Sequence, residues 1–196
     1  SLVVGYVTGH GELSLDDKQN GAAPLKAITS DTYELRPIVL ADEDIPANMT
    51  NIIINGPKQS FSDYELYKLD QFMMKGGNLI VLLDPFEEIM SQGQMAYYQQ
   101  PQYIPINTGL EKLLVKYGVK TGKNYVLDAN CYEAVQQGYG KIPLYYAPIL
   151  QKDGLNKKHP ISKNLGFVIM LATGSVDIDI LETSKDKLTA TVLAHS

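Results

Sequence analysis

A short apolar strand, a capped helix, a double-glycine stop and a second apolar strand follow one another between Asn51 and Leu83. Asn51-Ile52-Ile53-Ile54-Asn55 is apolar on both faces and closes at Gly56-Pro57, which is the pattern of a strand buried inside a parallel sheet. Ser62 and Glu65 have the spacing of a capping box, in which each side chain satisfies a free backbone N–H of the other residue. Leu66, Leu69, Phe72 and Met73 then recur at helical spacing before Gly76-Gly77 stops the helix. Leu79–Leu83 is the next strand and ends in Asp84-Pro85.

The same alternation extends in both directions. Leu2–Val7 is a continuous apolar run stopped by Thr8-Gly9-His10-Gly11. A short helix is expected from Ala22 to Ser30, burying Leu25 and Ile28. Tyr33–Leu40 reads as a strand that Pro37 assigns to an edge or a bulge. Thr108 and Glu111 suggest a second capping box, for a helix through Leu110, Leu113, Leu114 and Tyr117 that Gly118 stops. Further strand-like runs stand at Tyr125–Leu127, Leu144–Ile149, Phe167–Leu171 and Ile178–Leu181. The expected fold class is therefore α/β, with a mostly parallel sheet, helices on both faces and a β-rich C-terminal extension. One domain over residues 1–196 is expected, with a core over about 1–130 and the extension over about 131–196. Residues 87–107 read as a long loop of the functional kind.

Charge and composition exclude several functions. The net charge of -5, with no cluster of Lys or Arg to offset it, would be repelled by a phosphate backbone, so nucleic acid is not an expected partner. The single Cys131 excludes an internal disulfide framework and a cysteine-based zinc cluster. No apolar run approaches the roughly 20 residues of a membrane span. Both ends break off beside apolar stretches, as expected of a domain excised from a longer, membrane-anchored protein.

Ligands of open parallel sheets bind beyond the carboxyl ends of the strands. Gly9-His10-Gly11-Glu12, Gly56-Pro57-Lys58, and Asp84-Pro85 with Glu87 and Glu88 all fall there. His10, Glu12, Lys58, Asp84 and Glu87 are thus candidate binding residues on a rim. His10 beside Glu12 could form a base with its orienting carboxylate, but a tight glycine turn with His10 exposed or bonding loop backbone explains the same residues without catalysis. Tyr97, Tyr98 and Tyr103 share the long loop with Pro101 and Pro105; exposed tyrosines give contact area and a polar tip to a partner or sugar. Tyr145-Tyr146 fits either a binding surface or a strand that packs one ring inward.

No catalytic site is expected. Strand Leu79–Leu83 leads into Asp84-Pro85-Phe86 with no Cys or Ser on a strained turn. Cys131 has no adjacent His or Lys to lower its pKa, and reads as a small inert core or loop residue. His10, His159 and His195 are far apart, so no helical zinc pair exists, and Asp42-Glu43-Asp44 lacks the alternating ligands and Gly of a calcium loop. No dinucleotide fingerprint or phosphate loop occurs, so no metal or cofactor is expected.

Several phrases stand in one order: Val7-Thr8-Gly9-His10-Gly11-Glu12; Ile45-Pro46; Asn51–Ile54 with Gly56-Pro57-Lys58; Leu69-Asp70-Gln71-Phe72; Gly76-Gly77-Asn78-Leu79; and Leu82-Leu83-Asp84-Pro85. Gly109-Leu110, Leu113-Leu114, Tyr117-Gly118-Val119, His159-Pro160-Ile161, Asn164-Leu165 and Leu181-Glu182-Thr183-Ser184 continue the series. Together they resemble the Gld-type gliding-motility auxiliary component of ABC transport systems in Bacteroidetes-like bacteria. More distantly they are similar to a domain of an intraflagellar-transport protein.

The resemblance implies a flavodoxin-like sheet related to class I glutamine amidotransferase domains. It implies inner-membrane anchoring by flanking helices outside this chain, and a domain facing the periplasm beside an ABC permease and an ATPase. The expected role is a non-enzymatic interaction domain that also contacts a cargo protein or cell-surface polymer. The alternatives are a small-ligand or carbohydrate sensor, or a degenerate hydrolase using His10, Glu12 or Cys131.

Overall fold

In the computed structural model, residues 2–91, 93, 99–179 and 188–196 are described. They form two compact units, Ser1–Lys116 and Tyr117–Ser196. In the first unit, β1 (Leu2–Val7), β2 (Tyr33–Ile38), β3 (Asn51–Asn55) and β4 (Asn78–Leu82) make one sheet in the order β2-β1-β3-β4. All three pairings are parallel. β2 lies at an edge, as Pro37 requires, because a proline cannot donate to two neighbours.

The strand order reverses direction after β2. Right-handed crossovers in opposite directions put α1 (Ala23–Thr29) and α2 (Asp63–Met74) on opposite faces of the sheet. Register and packing agree with this. Val4 lies beside Leu35 and Tyr6 beside Ile53, and these four pack with Leu15, Ala22 and Leu25 of the α1 side. Gly5 pairs with Ile52, on the other face. A Cβ on Gly5 would stand 2.5 Å from Met49 Sδ and 2.6 Å from Ile38 Cδ1, so the glycine is what lets this layer close.

Tyr6, Ile38, Leu40, Ile52, Ile54, Leu69 and Leu110 are fully buried. Removing each of the aliphatic ones from water contributes about 1.5–3 kcal/mol. α2 has the expected capping box, with Ser62 Oγ accepting from Glu65 N–H at 3.2 Å and Ser62 N–H donating to Glu65 Oε2 at 2.8 Å. α3 (Leu110–Lys116) packs on α2.

Four expectations change. Ile28 is 82% exposed and Leu25 is only partly buried. On a helix of two turns Ala22, Leu25 and Thr29 share the inward face, and Ile28 lies about 100° round from Thr29. Residues 87–107, read as one long loop, carry strand structure, since β5 (Phe86–Ile89) and β6 (Gln102–Pro105) pair antiparallel with Glu87 opposite Ile104. The cap at Thr108 is also not reciprocal. Glu111 accepts from Thr108 and Gly109 N–H, but Thr108 Oγ1 accepts from Leu110 N–H because the helix begins one residue later. Tyr125–Leu127 is irregular backbone, with Val126 N–H bonded to Thr173 O at 2.9 Å.

The second unit is β-rich. β8 (Cys131–Gln136), β9 (Gly140–Gln151) and β10 (Phe167–Ile169) form an antiparallel sheet, and β7 (Val119–Thr121) pairs with β11 (Val176–Ile178). The strand expected at Ile178–Leu181 overlaps β11 at Ile178, and residues 180–187 lie outside the described residues. Tyr145 and Tyr146 are both exposed, so neither packs inward. Cys131 is buried and unpaired. No helix among the described residues is long and apolar enough to cross a membrane.

Candidate functional site

The carboxyl ends of β1, β3 and β4 are stitched to one another by backbone bonds. His10 O accepts from Lys58 N–H at 2.7 Å and from Gln59 N–H at 2.9 Å, Leu13 N–H reaches Asn55 O at 3.0 Å, and Gly56 N–H reaches Leu82 O at 2.9 Å. The β1 turn can do this because Gly9 and Gly11, with φ of 109° and 78°, lie where only glycine is relaxed. The hairpin that follows β4 is joined to the same end through Ile106 N–H and Pro85 O at 3.1 Å.

His10 sits inside this knot rather than on its rim, at 5% exposure. Its ring stacks on Phe61, with centroids 3.7 Å apart and planes 11° off parallel. Nδ1 faces Glu12 Oε1 at 3.2 Å and Nε2 faces Glu65 Oε1 at 2.9 Å. The Glu12 and Glu65 side chains are themselves 1% and 6% exposed. Glu12 Oε2 also accepts from His10 N–H at 2.7 Å, and Glu65 Oε2 is held by the helix cap.

Two carboxylates therefore flank one imidazole, and both ring nitrogens can donate only when the ring carries both protons. Burial pushes the Glu65 carboxyl upward. The Ser62 backbone and hydroxyl bonds, with the neighbouring His10, outweigh it and hold the group below the usual carboxylate range. Close by, burial raises the Tyr6 phenol; a hydrogen bond with Asn55 takes part of that rise back and the Glu12 charge adds to it. The Tyr6 hydroxyl donates to Leu13 O at 2.6 Å.

A general base needs a free lone pair aimed at a substrate proton. Both His10 nitrogens face buried carboxylates, so the triad works as a clamp joining the β1 turn to the start of α2. The remaining candidates are dispersed. Lys58 Nζ lies 3.5 Å from Glu87 Oε1, with both side chains about half exposed, and Asp84 is exposed. Tyr103 is 48% exposed and meets Phe86 edge-on at 6.4 Å between centroids. Tyr97 and Tyr98 lie outside the described residues. Among the described residues no cluster of three His, Cys, Asp or Glu side chains is arranged to hold a metal.

Sequence reading missed two partners of His10. Glu65 is visible only as the last residue of the helix cap, and its second oxygen carries the other role. Phe61, beside Ser62, has no signal except an aromatic immediately before the cap. Away from the strand ends, a groove of 540 Å³ runs along α2, lined by Pro46, Met49, Tyr64, Tyr67, Lys68 and Lys75 among others. Lys68 is fully engaged there, donating to Leu40 O and Glu43 O at 2.8 Å each, and lying 3.2 Å from Asp44 Oδ1 and 4.8 Å from the Tyr64 ring centre.

A family model described as an ABC-type uncharacterized transport system matches residues 1–196. The chain belongs to this family of ABC-type auxiliary transport domains. Among solved structures, the mmIFT52 N-terminal domain is similar in fold, with a TM-score of 0.61 and 15% identity over 90% of this chain and 68% of that one. No curated protein matches the sequence. The family description associates the chain with an ABC transport system, and the likeness to the mmIFT52 domain concerns fold alone.

Proposed function

We propose that this ABC-type auxiliary domain is a non-enzymatic interaction module, facing the periplasm, that binds the permease and ATPase subunits of its transport system. The observation that carries the reading is the state of the strand-end groups. The one histidine where an open parallel sheet places its chemistry has both nitrogens engaged with buried carboxylates, while Lys58, Asp84, Glu87 and Tyr103, on the turns and strands that follow β3 and β4, are exposed or half exposed. That arrangement suits a rigid contact surface better than proton transfer. In this reading the sheet is the flavodoxin-like core related to class I amidotransferase domains, the system is gliding-motility-related, and flanking helices anchor the protein in the inner membrane. A cargo protein or cell-surface polymer is a further partner through the hairpin at Tyr103.

Affinity purification of the tagged full-length protein from its native membrane tests the proposal. Recovery of a permease and an ATPase is the expected result. A second reading, a small-ligand or carbohydrate sensor, is favoured by the α2 groove with its two exposed tyrosines, Tyr64 at 61% and Tyr67 at 56%. Thermal-shift screening separates it, since a ligand that binds the folded state alone raises the melting temperature by mass action.

A further inference from the structure

The imidazole between Glu12 and Glu65 needs two protons to serve both. Nδ1 lies 3.2 Å from Glu12 Oε1 and Nε2 lies 2.9 Å from Glu65 Oε1, and a carboxylate oxygen can only accept. A neutral ring keeps one N–H, so its other nitrogen sets a lone pair against a buried carboxylate. His10, Glu12, Phe61 and Glu65 all belong to the first unit, so this geometry is internal to that unit.

Other charged and titratable groups approach the β1 turn from the elements around it. Lys58, on the β3 turn, comes so near that a Cβ on Gly11 would stand 3.2 Å from Lys58 Cβ, but its Nζ is paired with Glu87 of β5. Asp84, after β4, has a carboxylate oxygen 3.8 Å from a Cβ built on Gly56. Tyr6 of β1 feels the Glu12 charge. Phe61, stacked on the ring at 3.7 Å, is uncharged. With Lys58 engaged elsewhere, the charge that answers Glu12 and Glu65 is the ring's own.

The two carboxylates differ in what they can release. Glu12 is fastened to His10 itself, because its Oε2 accepts the His10 backbone N–H at 2.7 Å, so the two travel together. Glu65 is 55 residues away and serves two partners. Its Oε1 meets the ring, and its Oε2 accepts the Ser62 N–H at 2.8 Å at the start of α2. Turning that carboxylate away from the ring therefore undoes the helix cap. We propose that the triad is a pH-operated latch, closed while His10 carries both ring protons and opened when the ring gives one to solvent, which releases Glu65 and frees the first turn of α2 from the β1 turn. Because the closed latch binds the extra proton, its stabilisation is present on the acid side of the ring's titration and is lost as pH rises through it. Glu65, held below the usual carboxylate range, sets the acid limit lower still. The same first turn carries Tyr64, which lines the α2 groove, so opening loosens that end of the groove. The latch does not depend on the transport reading.

Nitrogen NMR of the 196-residue chain, recorded from about pH 5 to about pH 9, reads the protons on both ring nitrogens. His159→Asn and His195→Asn, both in the second unit, leave the His10 signals assigned. Amide exchange over the same range reads the cap through the protection of Ser62 N–H, with Phe72 in the later part of α2 as the reference. Glu65→Gln is the decisive variant. Its amide oxygen can still accept from Ser62 N–H while its NH2 donates to an unprotonated Nε2, so a neutral ring is satisfied.

The expected result is a ring protonated on both nitrogens at the acid end, with Ser62 protection falling about tenfold or more at the same midpoint as the ring loses a proton, while Phe72 changes less than about twofold. In Glu65→Gln, Ser62 protection should vary less than about twofold over the whole range. A ring that is neutral throughout, with the proton resting on a carboxylate, overturns the proposal. So does a ring that keeps both protons up to the pH of unfolding, or Ser62 protection that stays unmoved as the ring titrates. If Glu65→Gln does not fold by circular dichroism, Glu12→Gln, whose amide satisfies a neutral ring at Nδ1 in the same way, takes its place. Undiminished pH dependence in the folded variant rules the latch out.

Discussion

Replacing His10 by alanine leaves two buried carboxylates facing an empty ring position. Glu12 and Glu65 are 1% and 6% exposed on their side chains, and neither can turn to water without undoing the β1 turn or the α2 cap. Removing one partner from a buried ionic group costs about 3–5 kcal/mol, and the lost stack on Phe61 adds about 0.5–1.5 kcal/mol. With a urea dependence near ~2 kcal/mol/M, a loss of about 4 kcal/mol lowers the unfolding midpoint by about 2 M. Amide exchange at β1 and α2 places the loss in the first unit. The pH dependence adds a second signature. Glu65 is held below its usual pKa in the folded protein. It therefore contributes stability above its unfolded pKa, and that contribution disappears as pH falls through the folded value. His10 is among the groups that hold Glu65 low, so the part of the stability that His10→Ala removes through Glu65 is itself lost as pH falls through the folded value, and the cost of the substitution should shrink in acid. A loss under about 1 kcal/mol at pH 7, or a cost independent of pH, would refute the clamp.

Gly5→Ala drives a methyl into Met49 and Ile38 and should cost about 1–3 kcal/mol, read as a lower melting temperature. Ser62→Ala removes the hydroxyl that caps α2 and should cost about 1 kcal/mol in urea unfolding. Lys58→Ala breaks a half-exposed pair with Glu87; stability should change by less than about 1 kcal/mol in the same assay, leaving that surface free for partner mutagenesis.

The parts of the fold that were legible in the sequence carry their own local signal. β3 runs from Asn51 to Asn55 as its apolar run and Gly56-Pro57 indicate, and the Ser62–Glu65 box marks the first turn of α2. What was hidden depends on contacts distant in sequence. FEEI and QYIP are each four residues long, too short for alternation to show, and become strands only by pairing. Ile28 has the right spacing for a helix face, but sheet curvature and helix length decide which face is covered. The site behaved likewise. His10 and Glu12 were visible as neighbours, but Glu65 lies 55 residues away, and its cap accounts for its place in the sequence so well that nothing signals a second role. Burial then decides whether a His–Glu pair is a base or a fastening.

Photo-crosslinking from the strand-end surface in the native membrane tests the transport reading most directly. A photoreactive residue placed at Lys58 or Tyr103 of the full-length protein, both exposed enough to reach a partner, should give adducts with the permease or ATPase of the same system. Adducts should be absent when the residue replaces buried Ile54. Illumination that yields no transport component from either exposed position, with the protein expressed, folded and in the membrane, would contradict the account.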